Sequence, residues 1–278
     1  MLLLVDLDGT VWRGAEPVPG MPELLTDRVA RGDTVMYVTN NSMHHRSTYL
    51  PRILAMGAPA VLESIVSSAR ATALHVAGMS PSIERVLVVG SDGLVAELRE
   101  VGLRVTTAGE AAPRYRAGMG AMEASGLPQA VVAGLDRTID YDRLAVASAC
   151  IRAGAFFIVP NRDPVFPTER GLEPGAGSIV AALATASGVV PVSLGKPGPH
   201  LLEEAARAAG LPLADAVMIG DSLHTDIPAA RAAGIRSVLM LTGVARPEHL
   251  EALDDAERPT FVVADAAELA LALDRLRG

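Results

Sequence analysis

The chain opens with Met1-Leu2-Leu3-Leu4-Val5-Asp6-Leu7-Asp8-Gly9-Thr10. Residues 2–6 are apolar without alternation until the acid, which is how a strand buried on both faces of a parallel sheet reads. In open parallel sheets, ligands gather at the carboxyl ends of the strands. Asp6 and Asp8 would stand at such an end, with Gly9 allowing the backbone to turn sharply. Packed carboxylates repel one another unless a cation or a proton lies between them. A hard divalent ion such as Mg²⁺ answers that requirement with oxygen ligands alone.

The same strand pattern recurs downstream. Strands are expected over 34–38, 85–90, 130–133, 155–159, 216–219, 237–240 and 261–263. Helical patterns cover 21–31, 43–56, 63–77, 92–101, 141–153, 178–187, 200–209, 225–233 and 266–277. Alternation of this kind predicts an α/β protein with a doubly wound parallel sheet. Two punctuated stretches, Gly78-Met79-Ser80-Pro81-Ser82 and 188–191, bracket about a hundred residues with their own alternation, enough for a small inserted domain.

Three further motifs follow strands or sit in tight loops. Met218-Ile219-Gly220-Asp221-Ser222-Leu223-His224-Thr225-Asp226 repeats the strand-then-acid ending, so Asp221 and Asp226 join Asp6 in a prospective carboxylate pocket. Val35-Met36-Tyr37-Val38-Thr39-Asn40-Asn41-Ser42 ends a strand in four small hydrogen-bonding residues ahead of an expected helix. Thr39, Asn40, Asn41 and the nearby amides suit an anion such as phosphate, although the same stretch also reads as an ordinary N-cap cluster. The third motif is Gly195-Lys196-Pro197-Gly198-Pro199. Of 24 basic residues, Lys196 is the one lysine and the other 23 are arginines. An ammonium is a compact point charge, whereas a guanidinium is a broad planar fork. A lysine retained in a chain that otherwise uses arginine therefore points to a confined cation site.

Composition sets the outer limits. The 278 residues carry 32 acids, for a formal charge of −8, which argues against the clustered basic face of a nucleic-acid binder. Half the residues are hydrophobic, enough for a substantial core. The single cysteine, Cys150, excludes an intrachain disulfide and a cysteine metal cage, and reads as a core residue. With no basic n-region and no spanning apolar run visible, a cytoplasmic location and no membrane partner are expected. His44-His45 read as solvated first-turn helix residues rather than a metal pair, because neighbours on a helix diverge.

Taken together, Asp6-Leu7-Asp8-Gly9-Thr10, Thr39-Asn40-Asn41, Gly195-Lys196-Pro197 and Gly220-Asp221 through Thr225-Asp226 resemble the four ordered motifs of the haloacid dehalogenase superfamily of phosphotransferases. Their spacing is similar to its NagD-like, 4-nitrophenylphosphatase branch. Trp12-Arg13-Gly14, Asn161-Arg162-Asp163, Pro167-Thr168-Glu169, Pro174-Gly175-Ala176-Gly177-Ser178 and Leu241-Thr242-Gly243-Val244 are also branch-like. The resemblance implies a Rossmann-like core, residues 1–80 and 193–278, interrupted by a smaller α/β cap, residues 81–192, that sets substrate specificity. It implies Mg²⁺-dependent hydrolysis of a phosphate monoester of a small metabolite through an aspartyl-phosphate. By the same resemblance Asp6 is the nucleophile and Asp8 the general acid and base. Mg²⁺ is held by the Asp6 side chain, the Asp8 carbonyl and Asp221, with Asp226 behind them. Thr39, Asn40, Asn41 and Lys196 bind the phosphoryl group, and Asn161 and Arg162 of the cap face the substrate. A homodimer through the cap is compatible with it. A phosphotransferase or phosphonate hydrolase on the same core, and a non-catalytic module that binds a phosphorylated metabolite, are the alternatives. The second aspartate speaks against the latter, since binding alone does not need it.

Overall fold

The computed structural model describes residues 1–124, 126–168, 170–251 and 253–277. Glu169, in one of the branch-like stretches, lies outside them. Two compact units are present. The first comprises residues 1–39, 46–67 and 196–278, and the second 40–45 and 68–195.

The first unit is built on a six-stranded parallel sheet. Its strand order is Phe261–Val263, Arg236–Met240, Ala216–Gly220, Leu2–Val5, Thr34–Thr39, Ile65–Ser67. The opening strand is central because every one of its residues is apolar and fully buried, so both faces can be covered. Leu3 and Val5 point to one face, where they meet Val217, Ile219 and Val238 together with Met21 and Leu25 of helix Met21–Ala30 and Leu269 and Leu273 of helix Ala266–Arg277. Leu2 and Leu4 point to the other face by the period of two. Helix His200–Ala209 packs there on strands Thr34–Thr39 and Leu2–Val5, and helix Asp226–Ala232 on Ala216–Gly220 and Arg236–Met240.

The second unit has its own five-stranded parallel sheet, ordered Val192–Ser193, Phe156–Val159, Ala130–Ala133, Arg85–Val89, Arg104–Thr107. Leu87, Val89, Val131, Ala133 and Phe157 face helices Ala108–Arg116, Tyr141–Arg152 and Ala176–Ser187. Val86, Val88, Ala130, Val132 and Ile158 face helices Ser68–Ala77 and Asp92–Glu100. Cys150 is buried in the former cluster, as its apolar helix pattern suggested. An antiparallel hairpin, Val165–Thr168 with Gly171–Pro174, completes the unit.

Several expectations need correction. The helix expected over 63–77 starts only at Ser68. Residues 62–64 form a 3₁₀ turn, and Ile65–Ser67 is the edge strand of the first sheet, as suits its β-branched pair Ile65-Val66. The helix expected over 43–56 is a 3₁₀ turn, Arg46–Thr48, followed by helix Tyr49–Ala55. His44 and His45 therefore precede the helix. His45 Nε2 lies 2.8 Å from Glu100 Oε2 and 3.5 Å from Glu97 Oε1, and Arg70 approaches the same two glutamates at 3.6 Å. His45 thus joins Glu97, Glu100 and Arg70 in a polar network of the second unit and lies outside the helix. Residues 40–45 and 68–195 form one compact unit, where the sequence suggested 81–192 for the inserted part. Helix Ser68–Ala77 goes with the second unit because Ala69, Ala73 and Val76 pack on Leu94 and Leu98.

Candidate active site

Parallel register brings the expected acids to one edge of the first sheet. Val5 pairs with Ile219 on one side and Tyr37 on the other, so Asp6, Asp221 and Thr39 all leave their strands at the same carboxyl end. The Asp6 amide donates to Ile219 O at 2.9 Å, extending the ladder one residue past the strand. Ligand oxygens of Asp6, Asp221 and Asp226 lie within 4.8 Å of one another, and all three residues are buried.

Lys196 is the cation among them. Its Nζ donates to Asp6 Oδ1 at 2.5 Å, to Asp226 Oδ1 at 2.6 Å and to Val38 O at 3.3 Å. The side chain is 2% exposed. Burial alone would lower its pKa, but Asp226 and Asp6 outweigh that and raise it, so Lys196 stays charged.

Asp226 accepts three hydrogen bonds from protein donors. Besides Lys196 on Oδ1, its Oδ2 accepts the amides of Asp221 at 3.1 Å and Ser222 at 3.0 Å. It shapes the Asp221 loop and fixes Lys196. Asp221 sits in a slot built from glycine. A Cβ at Gly9, whose φ is +87°, would come within 2.2 Å of Asp221 Oδ2, and one at Gly243 within 1.7 Å. The Val244 amide donates to Asp221 Oδ2 at 2.6 Å, and Thr242 Oγ1 donates to Gly9 O at 2.6 Å. The 241–244 stretch is thus the wall that closes the site. Its sequence could be flagged, but this contact could not be foreseen from local pattern.

Burial pushes the Asp6 carboxyl well above the ordinary range; Lys196 opposes this, and Asp226 and Asp221 add to it. Burial, helped by Asp226, pushes Asp221 up to about 6. Three buried carboxylates against one ammonium leave an excess of negative charge that a cation would relieve. The Lys196 ammonium falls on Asp6 Oδ1 and the Val244 amide on Asp221 Oδ2, so each carboxylate can turn its other oxygen to a cation. Hard oxygen donors in a confined acidic site fit Mg²⁺.

Asp8 stands apart from the cluster. Its side chain is exposed, and Oδ1 accepts the indole N–H of Trp12 at 2.8 Å. Thr39, 3% exposed, ends strand Thr34–Thr39. Asn40, Asn41, Asn161 and Arg162 belong to the second unit. There the Asn40 carbonyl accepts Ser68 Oγ at 2.6 Å and Asn161 Nδ2 at 2.7 Å, and Asn41 Oδ1 accepts the Met43 amide at 2.9 Å. Asn161 Oδ1 also accepts the Asp163 amide at 3.2 Å, while Arg162 is exposed.

Comparisons with known proteins give the family. Residues 3–104 match the model of haloacid dehalogenase-like hydrolases, and residues 193–269 match a second, HAD-hydrolase-like model. A 5'-nucleotidase of Bacillus subtilis is 36% identical over 265 residues, covering 95% of both chains. The chain is a haloacid dehalogenase-like hydrolase. A second relative of this hydrolase is the D-glycerol 3-phosphate phosphatase of Mycobacterium tuberculosis, 38% identical over 96% of this chain and 70% of its own. The crystal structure of the mycobacterial glycerol phosphate phosphatase in complex with magnesium superposes with a TM-score of 0.82, covering 96% of this chain and 75% of that one. A p-nitrophenyl phosphatase from Archaeoglobus fulgidus, 28% identical, superposes with a TM-score of 0.84 over 98% of both chains. The hydrolase therefore has a core sheet of six parallel strands and a separate cap with five. Among its described residues no helix is long and apolar enough to cross a membrane.

Proposed function

We propose that the chain is a Mg²⁺-dependent phosphatase of small phosphate monoesters that works through a phosphorylated Asp6. The observation that carries this reading is the Lys196 ammonium buried between Asp6 and Asp226 at the carboxyl ends of the strands. It holds Asp6 by Oδ1 and fixes the carboxylate for attack. Phosphoryl transfer depends mostly on positioning and electrostatics, which a fixed ammonium and a carboxylate slot supply.

In the first half-reaction an Asp6 carboxylate oxygen forms a bond to phosphorus in line with the ester oxygen. As that P–O bond breaks, the leaving oxygen takes a proton from Asp8. In the second, Asp8 removes a proton from water, whose oxygen bonds to phosphorus and releases Asp6. Thr39 and the Asn40 amide hold phosphoryl oxygens, with Asn41 supporting their loop, and Lys196 balances the charge of nucleophile and phosphate. Asp6, the Asp8 carbonyl and Asp221 would hold Mg²⁺, which when bound neutralises charge on the phosphoryl group. Substrate choice belongs to the cap, with Arg162, exposed on it, as a candidate contact to the substrate. Asn161, buried and bonded to the Asn40 carbonyl, supports the phosphate loop. Nucleotide, glycerol phosphate and sugar phosphate esters, named for its relatives, are the first substrates to try. Pairing of caps in a homodimer belongs to the same reading.

Asp6→Asn keeps the shape and the Lys196 contact but removes the nucleophile. Turnover of 4-nitrophenyl phosphate with Mg²⁺ should vanish while the melting transition persists. A variant with near-normal turnover would remove Asp6 from the mechanism.

A further inference from the structure

Asp8 is exposed and lies in a loop, so nothing in the strand ahead of it fixes its carboxylate. The fixing comes from four residues downstream. Leu7 O accepts the amides of Thr10, Val11 and Trp12 at 3.3, 2.8 and 3.2 Å, and the Gly9 amide donates to Trp12 O at 2.7 Å. This tight loop, made possible by the positive φ of Gly9, folds Trp12 back beside Asp8. Trp12 is fully buried, and its only polar side-chain atom, the indole N–H, donates to Asp8 Oδ1 at 2.8 Å.

The ring is itself held in place. Arg52 lies over it with its guanidinium carbon 4.0 Å from the ring centroid, an attractive cation–π geometry. The same guanidinium donates to Gly14 O, in the turn of the hairpin that carries Trp12. An exposed carboxylate is thus bonded to a buried donor that is itself packed under Arg52.

We propose that Trp12 is the positioning residue for the general acid, directing the working proton to Asp8 Oδ2. The indole N–H is a donor only, so it cannot exchange the catalytic proton. By occupying Oδ1 it leaves Oδ2 as the oxygen that gives the proton to the leaving group and later takes one from water. This inference rests on the acid–base role of Asp8 proposed above. Its signature is selective. A well-placed proton matters most when the leaving oxygen is basic, and little when it departs readily as an anion.

The test compares phenyl phosphate with 4-nitrophenyl phosphate, two esters of similar shape whose leaving groups differ in basicity. Trp12→Phe keeps an aromatic ring under Arg52 and deletes the N–H. Trp12 is the chain's only tryptophan. Global replacement by benzothienylalanine, which has sulfur in place of the N–H, therefore makes the same deletion at nearly constant shape and covers the case in which Trp12→Phe fails to fold. For both proteins kcat on phenyl phosphate should fall about tenfold more than kcat on 4-nitrophenyl phosphate, the scale of one charge-assisted hydrogen bond, with KM little changed. Equal losses on the two esters, a loss confined to KM, or no loss in the benzothienylalanine protein overturns the proposal. Asp8→Asn separates the two levels of the argument. If it is selective while the Trp12 replacements are not, only the role of Trp12 fails. If Asp8→Asn is itself unselective, the acid–base assignment fails and this inference with it.

Discussion

Replacing Lys196 by arginine keeps the charge and should nevertheless disable the enzyme. Three acceptors, Asp6 Oδ1, Asp226 Oδ1 and Val38 O, converge on one nitrogen at 2.5, 2.6 and 3.3 Å in a site 2% open to solvent. Each carboxylate contact is worth about 6 kcal/mol of Coulomb energy at an effective dielectric constant of about 20, before desolvation is subtracted. A guanidinium spreads its charge over a plane and points its protons outward in a fork, so it cannot satisfy three acceptors that meet at one point. It is also bulkier than the ammonium that now sits between Asp6 and Asp226. Either Asp226 is displaced, which loosens the amides of Asp221 and Ser222, or the guanidinium withdraws from Asp6. Loss of one such preorganised contact raises the barrier by about 3–4 kcal/mol, or roughly 10²–10³ in kcat. The assay is kcat on 4-nitrophenyl phosphate at saturating Mg²⁺, with a thermal melt to confirm folding. Lys196→Met should be at least as inactive. A folded Lys196→Arg enzyme within about threefold of wild type, less than 1 kcal/mol, would refute the point-charge reasoning.

Gly243→Ala places a methyl group where Asp221 Oδ2 lies, so it should displace Asp221 and weaken Mg²⁺ binding at least tenfold, about 1.4 kcal/mol, measured by calorimetric titration. In the metal-free protein Asp221 titrates near 6, above an unfolded value of about 4, so its ionisation costs stability as pH rises through that window. Mg²⁺ needs the ionised form; the rise in Tm on adding Mg²⁺ should therefore be smaller at about pH 5 than at about pH 7.5, a difference on the order of 1 kcal/mol, and an equal rise would contradict the assignment. Burial opposes ionisation of Asp33, but the Met1 ammonium and Arg28 lower its pKa. Its stabilisation is thus present above the ordinary carboxylate range and lost as pH falls through the folded value. Asp33→Ala should cost about 3 kcal/mol in urea unfolding at neutral pH, because it removes a partner of the buried Arg28, with the gap narrowing in acid. Burial raises the Cys150 thiol to about 11, so thiol reagents should leave the native protein unmodified at pH 8 and label it once on unfolding.

The parts legible in the sequence were those encoded locally. Leu2–Val5 and Ala130–Ala133 are apolar throughout and could be read as buried strands, and helix Ala266–Arg277 matches its pattern end to end. Lys196 stood out by rarity, and its three contacts give that rarity a physical meaning. Elements whose signal is weak or shared escaped notice. Strand Ile65–Ser67 is three residues long and runs directly into helix Ser68–Ala77, so one helical pattern seemed to cover both. Arg104–Thr107 is a half-exposed edge strand, and helix Ala108–Arg116 carries Pro113 in its interior, which argues against a helix. In the site, the four acids could be named from their strand endings, but their division of labour could not. That Asp226 accepts from Lys196 and two amides, while Asp221 is held by the Val244 amide, follows from contacts across the fold. The Gly243 wall and the indole on Asp8 are of the same non-local kind.

The most direct test of the mechanism is chemical trapping of the intermediate. Enzyme turning over 4-nitrophenyl phosphate with Mg²⁺ is quenched, reduced with borohydride, digested and mapped by mass spectrometry. An acyl phosphate on a carboxylate is reduced to the alcohol, so Asp6 should appear as homoserine, with more of it in Asp8→Asn and none in Asp6→Asn. Reduction at a different acid, or none in any of these proteins despite active turnover by the wild type, would contradict nucleophilic catalysis by Asp6.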